Sequence, residues 1–179
     1  MLPIARDNRA ALTTCFDLAA DADLIVTLGG ASVGDHDLVG PVAREMGMEQ
    51  AFYKVAMRPG KPLMAGRFGD AVLLGLPGNP VSSLVCGEVF GVPAIRALLG
   101  LEKRARRRRT ARLEAGIGPN GGREHYMRAR LSGDRGLITP MARQDSSLLS
   151  VMAGADALMI RPPDQGPCPA GSPMEYIPL

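Results

Sequence analysis

The 179 residues suffice for one medium or two small domains, and 46% hydrophobic content supplies a core. With 4% aromatics and no Trp, that core is built from Val, Leu, Ile, Ala and Met. The net charge of +3 is local: six positive charges sit in Lys103, Arg104 and Arg106, Arg107, Arg108 and Arg109, so the remainder is about −3 and no general polyanion-binding surface follows. Three dispersed cysteines and two histidines exclude a structural zinc site. Apolar runs such as 71–76 are too short to span a bilayer and no signal-peptide pattern opens the chain, so a cytoplasmic protein is expected.

In chain order, apolar residues at helical spacing over 8–20 predict a helix. The β-branched run 24–28 predicts a strand buried on both faces that opens into Gly29-Gly30. Asp37 is placed to cap a helix over 38–46, which Gly47 stops. Strands are expected over 52–57 and 63–67, joined by the rigid loop 58–62, and over 71–76 after a turn at Gly69-Asp70. Asn79 then reads as the N-cap and Pro80 as the first residue of a helix through 90, with Gly91 and Pro93 breaking or kinking it before 94–99. Beyond Gly100 short alternating stretches at 110–113, 126–131, 137–140, 157–160 and 174–177 predict a second, mostly β domain. The arginine run between the domains reads as a solvated linker, since no aromatic residues interleave it as nucleic-acid stacking platforms.

Three constellations carry chemistry. Gly29-Gly30-Ala31-Ser32-Val33-Gly34-Asp35-His36-Asp37 is a glycine-rich loop between a strand and a helix. Its backbone amides and the Ser32 hydroxyl suit a phosphate, and Asp37 suits Mg²⁺ held against it. The same residues also make a tight turn with a capping aspartate. Pro77-Gly78-Asn79-Pro80-Val81-Ser82 is a second strand-to-helix junction; alone it is merely a well-capped helix, but two such junctions on neighbouring strands form the edge where open α/β sheets bind ligands. Lys54 and Arg58, four apart on an expected strand, and Lys61 beyond the turn form a group of cations suited to a polyanionic ligand, although each alone reads as a solvated surface charge.

In order and spacing, the segments from Asp23 to Asp37, Met57-Arg58-Pro59-Gly60-Lys61-Pro62 and Gly75-Leu76-Pro77-Gly78-Asn79-Pro80-Val81-Ser82 resemble the signatures of the molybdopterin molybdenumtransferase (MoeA) and gephyrin E-domain family. The resemblance continues through Arg128 and Gln144-Asp145-Ser146 to the C-terminus. It implies an α/β fold: an incomplete three-layer αβα molybdopterin-binding domain with a mostly parallel sheet over 1–101, and a small, mostly β, barrel-like domain over 102–179. It implies an enzyme of molybdenum cofactor biosynthesis that inserts molybdate into adenylylated molybdopterin with Mg²⁺-dependent release of AMP. By the same resemblance Gly29, Gly30, Ser32 and Gly34 would hold phosphate and Asp37 the metal, while Pro77, Gly78, Asn79, Pro80 and Ser82 would line the pterin-phosphate pocket. Arg58, Lys61, Ser82, Arg128 and Ser146 would surround the molybdate, with Lys54 a further candidate beside Asp37, Arg58 and Lys61 for catalysis.

The family's proteins are more than twice this length and form homodimers whose facing subunit closes the active site. The resemblance thus implies two absent N-terminal domains, a start inside the cofactor-binding domain, exposed apolar sheet edges and little activity from this chain alone. Asp145 stands where the family pattern places glycine. Other readings are a sister molybdopterin adenylyltransferase, against which the β domain argues, and a non-catalytic scaffold, binding module or remnant of a split gene. Neither nucleic acid nor membrane is expected as a partner.

Overall fold

A computed structural model of the chain describes residues 2–30, 38–101, 105–133 and 136–179. In order they form α1 (Arg9–Leu18), β1 (Leu24–Leu28), α2 (Val39–Glu45), β2 (Glu49–Tyr53), β3 (Met57–Arg58), β4 (Met64–Phe68), β5 (Ala71–Leu76), α3 (Pro80–Cys86), a π-helical turn (Gly87–Gly91), α4 (Val92–Leu98), β6 (Arg109–Leu113), β7 (Glu124–Ser132), β8 (Leu137–Pro140), α5 (Leu149–Ala153), β9 (Ala157–Arg161) and β10 (Pro173–Pro178). Two compact units result: Met1–Val55 with Gly60–Lys103, and Ala56–Pro59 with Arg104–Leu179.

The first unit is an α/β layer structure on a four-stranded sheet of order β1-β5-β4-β2. β1 and β5 run parallel, while β4 pairs antiparallel with both β5 and β2, so the sheet is mixed. The Gly69-Asp70 turn, with Gly69 at φ +60°, is too short for a crossover and forces the antiparallel β4–β5 hairpin. α1 starts at Asn8, whose side chain accepts the Ala11 amide at 2.9 Å, and buries Leu12 and Phe16. Phe16 stacks on Phe68 with ring centroids 5.2 Å apart, which ties the helix to the sheet.

Three expectations are corrected here. β1 is not buried on both faces: it ends the sheet, and Val26 and Leu28 are 47% and 73% exposed while Ile25 alone is fully covered. An apolar, β-branched run reports strand formation, not whether a neighbour covers it. The strand expected over 52–57 ends at Tyr53, because Lys54 adopts φ +65°, a left-handed conformation that no strand continues. Lys54 and Arg58 therefore share no strand. Of the break or kink expected at Gly91 and Pro93, the break is absent: the helix starting at Pro80 widens into the π turn, with the Val92 amide bonded to the Gly87 carbonyl, and proceeds as α4. A widened turn relieves the clash between the Pro93 ring and the preceding turn. The continuous helix Pro80–Leu98, 19 residues, is by length and composition long and apolar enough to cross a membrane. Its α3 part packs on the sheet through Val81, Val85 and Cys86. Burial pushes the Cys86 thiol up to about 12, so it is an inert core group.

In the second unit β7, β8, β6, β10 and β9 pair in that order, and β9 pairs back onto β7, closing a five-stranded barrel. Every strand expected after Gly100 is present; the short helix α5 was not expected. Leu113, Ala129, Ile138, Met159 and Met174 fill the interior. β3 lies parallel to the first residues of β7, with Met57 opposite Glu124 and Arg58 opposite His125. The arginine run is not simply a solvated linker: Arg106 donates to the Pro178 carbonyl at 3.4 Å and Arg108 pairs with Glu175 at 2.9 Å, fastening the strand that begins at Arg109.

His125 is buried on β7. Loss of hydration, then the charges of Arg58, Arg128, Arg161 and Arg123, lower its pKa from 6.5 to about 3.

Two predictions follow from these contacts. A Cβ on Gly66, at the irregular β2–β4 pairing, would lie 2.6 Å from the Glu49 carbonyl oxygen and 3.1 Å from the Gln50 Cα, both backbone atoms. Gly66→Ala is expected to cost about 1–3 kcal/mol in denaturant unfolding; an unchanged midpoint contradicts this packing. His125 stays neutral in the fold while its unfolded counterpart protonates near 6.5, so the unfolded state binds more protons between pH 6.5 and about 3. Stability therefore falls as pH drops through that window, by up to about 1.4 kcal/mol per pH unit from this group. His125→Gln should flatten the dependence in melts from pH 7 to 4; an unchanged slope contradicts it.

Candidate functional site

In the first unit the parallel register of β1 and β5 brings the strands' C-terminal ends to one sheet edge. There the Gly29 amide donates to the Leu76 carbonyl at 3.0 Å. The two glycine turns touch: a Cβ on Gly78 would lie 3.2 Å from the Gly29 Cα, and Gly29 itself has φ +85°. A side chain at Gly78 would require the neighbouring backbone to give by a few tenths of an ångström, and one at Gly29 would be strained by its positive φ.

Asn79 caps α3 as expected: its Oδ1 accepts the Ser82 amide at 3.1 Å and the Ser82 hydroxyl at 3.3 Å. Buried Ser82 thus orders the turn, with its hydroxyl already engaged. Lys61 is exposed on the loop before β4, its carbonyl accepting the Val55 amide at 3.0 Å, and the Lys54 ammonium lies 4.8 Å over the Tyr53 ring. Ser32, Gly34 and Asp37 lie outside the described residues.

A cavity of about 640 Å³ runs along β1 and α1, with Leu12, Phe16 and Ile25 in its wall and Gly29 and Gly30 at its edge. Its one charged lining residue among those described is Asp7, so its wall offers no cation to a phosphate.

The second unit holds Arg58, Arg128 and Ser146. Arg58, exposed on β3, approaches Asn120 Oδ1 with its Nη2 at 3.5 Å. The Asn120 side-chain nitrogen donates to the carbonyls of Arg123, Arg161 and Pro162, which lie at the start of β7 and the end of β9. Arg128 is the centre of this group. Its neighbours Met127 and Ala129 belong to the barrel core, so its side chain projects from the opposite face of β7, and yet it is 0% exposed. Its Nη2 donates to the Asp145 carbonyl at 3.2 Å, whereas Nε and Nη1 are buried without a hydrogen-bond partner among the described residues. Burial lowers its pKa and the nearby Asp145 offsets part of that; a guanidinium nevertheless keeps its charge.

The Asp145 carboxylate, unexpected beside an oxyanion, is turned to its own turn. It accepts the Ser147 amide at 2.8 Å, and this bond, then the Ser147 hydroxyl, holds it below the usual carboxylate range. Ser146 is half-buried between them.

The expected residues therefore fall into two groups. Gly29, Gly30, Lys54, Lys61 and the 77–82 turn belong to the first unit, Arg58, Arg128 and Ser146 to the second. Sequence reasoning missed Gln144, whose side chain makes three backbone hydrogen bonds around Arg128, and His125 within its circle of arginines. Only the spacing of Gln144 next to Asp145-Ser146 signalled the first. Nothing in the sequence places four arginines about one histidine. Among the described residues no three His, Cys, Asp or Glu side chains gather as a metal site.

Comparison with known proteins fits both units. Residues 2–97 match the probable molybdopterin binding domain, and residues 110–179 the MoeA C-terminal region, domain IV. The chain is 36% identical over 164 residues to molybdopterin molybdenumtransferase 2 of Mycobacterium tuberculosis (strain CDC 1551 / Oshkosh), a match over 88% of this chain and 40% of that protein. It is 33% identical over 142 residues to molybdopterin molybdenumtransferase of Bacillus subtilis (strain 168), covering 78% and 33%. Among solved structures, a molybdopterin biosynthesis MoeA protein from Pyrococcus horikosii superposes with a TM-score of 0.78 at 27% identity, over 97% of this chain and 42% of that one. The chain thus spans less than half the length of these relatives. Two ordered domain matches covering both units establish that the chain belongs to the MoeA family.

Proposed function

We propose that this chain serves molybdenum cofactor biosynthesis as the cofactor-binding and C-terminal part of a molybdopterin molybdenumtransferase, which inserts molybdate into adenylylated molybdopterin and releases AMP. One observation carries the reading. Arg128 is a buried cation with two nitrogens that lack a partner among the described residues, a state whose cost an oxyanion would remove by charge-assisted hydrogen bonds. Molybdate, a tetrahedral dianion, is the substrate of that chemistry. Arg58, an exposed cation on the neighbouring strand, adds to the positive field of the same unit.

In the first unit the contact of Gly29 with Gly78 leaves backbone free of side chains at two strand ends, which suits the phosphate and pterin parts of the substrate. Asn79 and Ser82 fix the second turn, and Lys61 supplies charge. The part assigned to these residues is binding and orientation, with no covalent nucleophile; the buried, protonated Cys86 thiol is unsuited to one. Mg²⁺ enters this reading through Asp37 and the adenylate phosphates. The described residues offer no metal-holding cluster, and Mg²⁺ commonly binds through one carboxylate, water and substrate phosphates. Its chemistry there is to offset phosphate charge as AMP departs.

Calorimetry separates the proposal from a bare fold resemblance. Molybdate should bind the chain, and Arg128→Gln should weaken it about 10- to 100-fold, whereas Arg107→Gln in the exposed arginine run should not. Equal affinities for wild type and Arg128→Gln contradict the assignment. Molybdopterin adenylate with Mg²⁺ should likewise lose binding heat in Asp37→Ala, and identical heats contradict that part.

A further inference from the structure

We infer that Gln144 is a positioning residue for the oxyanion-binding Arg128, its side-chain amide acting as a substitute strand that fixes the Arg128 backbone and places the Asp145 carbonyl against its guanidinium. The inference rests on the molybdate reading of Arg128 and assigns to Gln144 a role in that same site.

The geometry is specific. The Arg128 amide donates to Gln144 Oε1 at 3.0 Å, and Gln144 Nε2 donates back to the Arg128 carbonyl at 2.9 Å and to the Met141 carbonyl at 2.7 Å. A primary amide that accepts from and donates to one residue's backbone reproduces both hydrogen bonds of an antiparallel strand partner. It does so just past the end of β8, where the Met141 amide still donates to the Arg128 carbonyl at 2.9 Å. The next residue along the loop then presents its carbonyl to Arg128 Nη2 at 3.2 Å. One side chain thereby sets the height of the arginine on β7 and an acceptor that restricts its guanidinium, leaving Nε and Nη1 without a partner among the described residues. The bond to the Met141 carbonyl gives the amide a third backbone anchor. A glutamate could accept the Arg128 amide but could not donate to either carbonyl, and an alanine could do neither.

A double-mutant cycle with molybdate as the probe, read by equilibrium dialysis at pH 8 on the full chain, tests this. Gln144→Ala is expected to weaken molybdate about tenfold and to have no further effect in an Arg128→Gln background, because both changes act through one guanidinium. Gln144→Glu is expected to weaken it as Gln144→Ala does, and it carries the test if the alanine variant does not fold. Wild-type affinity in either variant overturns the inference and leaves the molybdate reading intact. Losses that add independently also overturn it, since they mark a general structural role. Failure of molybdate to bind the unaltered chain sinks the reading of Arg128 and the inference with it.

Discussion

A guanidinium removed from water stays charged, so each N–H group is either answered by an acceptor or left at a cost of about 1–3 kcal/mol or more. The second unit is arranged around that constraint. β7 carries Arg128 between barrel residues Met127 and Ala129, which fix its backbone from the core side, and the loop after β8 folds back to answer its backbone and one of its nitrogens. The remaining two nitrogens have no acceptor among the described residues. Replacing such a group with a hydrophobe would commonly be neutral or better for stability, so its presence argues for a ligand and not for the fold.

The first unit solves a different problem. Two parallel strands end side by side, and their turns approach until Gly29 and Gly78 are in backbone contact. Asn79 stiffens the second turn by engaging both the amide and the hydroxyl of Ser82. The second turn is therefore set by hydrogen bonds within the protein. Substrate-sized anions are handled well by such backbone, because amides held in place need no reorganisation when charge arrives. Both units match domains of one family, the probable molybdopterin binding domain and the MoeA C-terminal region, and the proposed function gives the two arrangements a common ligand.

Much of this was legible before any coordinates. The Asn79-Pro80 cap, the Gly69-Asp70 hairpin and the barrel strands are written in local chemistry: a side-chain acceptor, a proline at N1, a two-residue turn, alternating apolar positions. What failed depended on non-local facts. Val26 and Leu28 read as core because the pattern cannot say that β1 lies at the end of the sheet. Lys54 and Arg58 read as one strand because nothing in Tyr53-Lys54-Val55 announces a positive φ at Lys54. At the site, Arg128 was identifiable from the family pattern, but Gln144 makes its contacts across 16 residues of sequence and is found only in the fold.

The most direct measurement of the central claim is a crystal structure of the chain grown with tungstate or molybdate, with the metal located by its anomalous signal. The account predicts a metal oxyanion whose oxygens accept hydrogen bonds from Arg128 Nε and Nη1, with Gln144 still paired to the Arg128 backbone. An oxyanion bound elsewhere, with those two nitrogens engaged by protein acceptors, would contradict it.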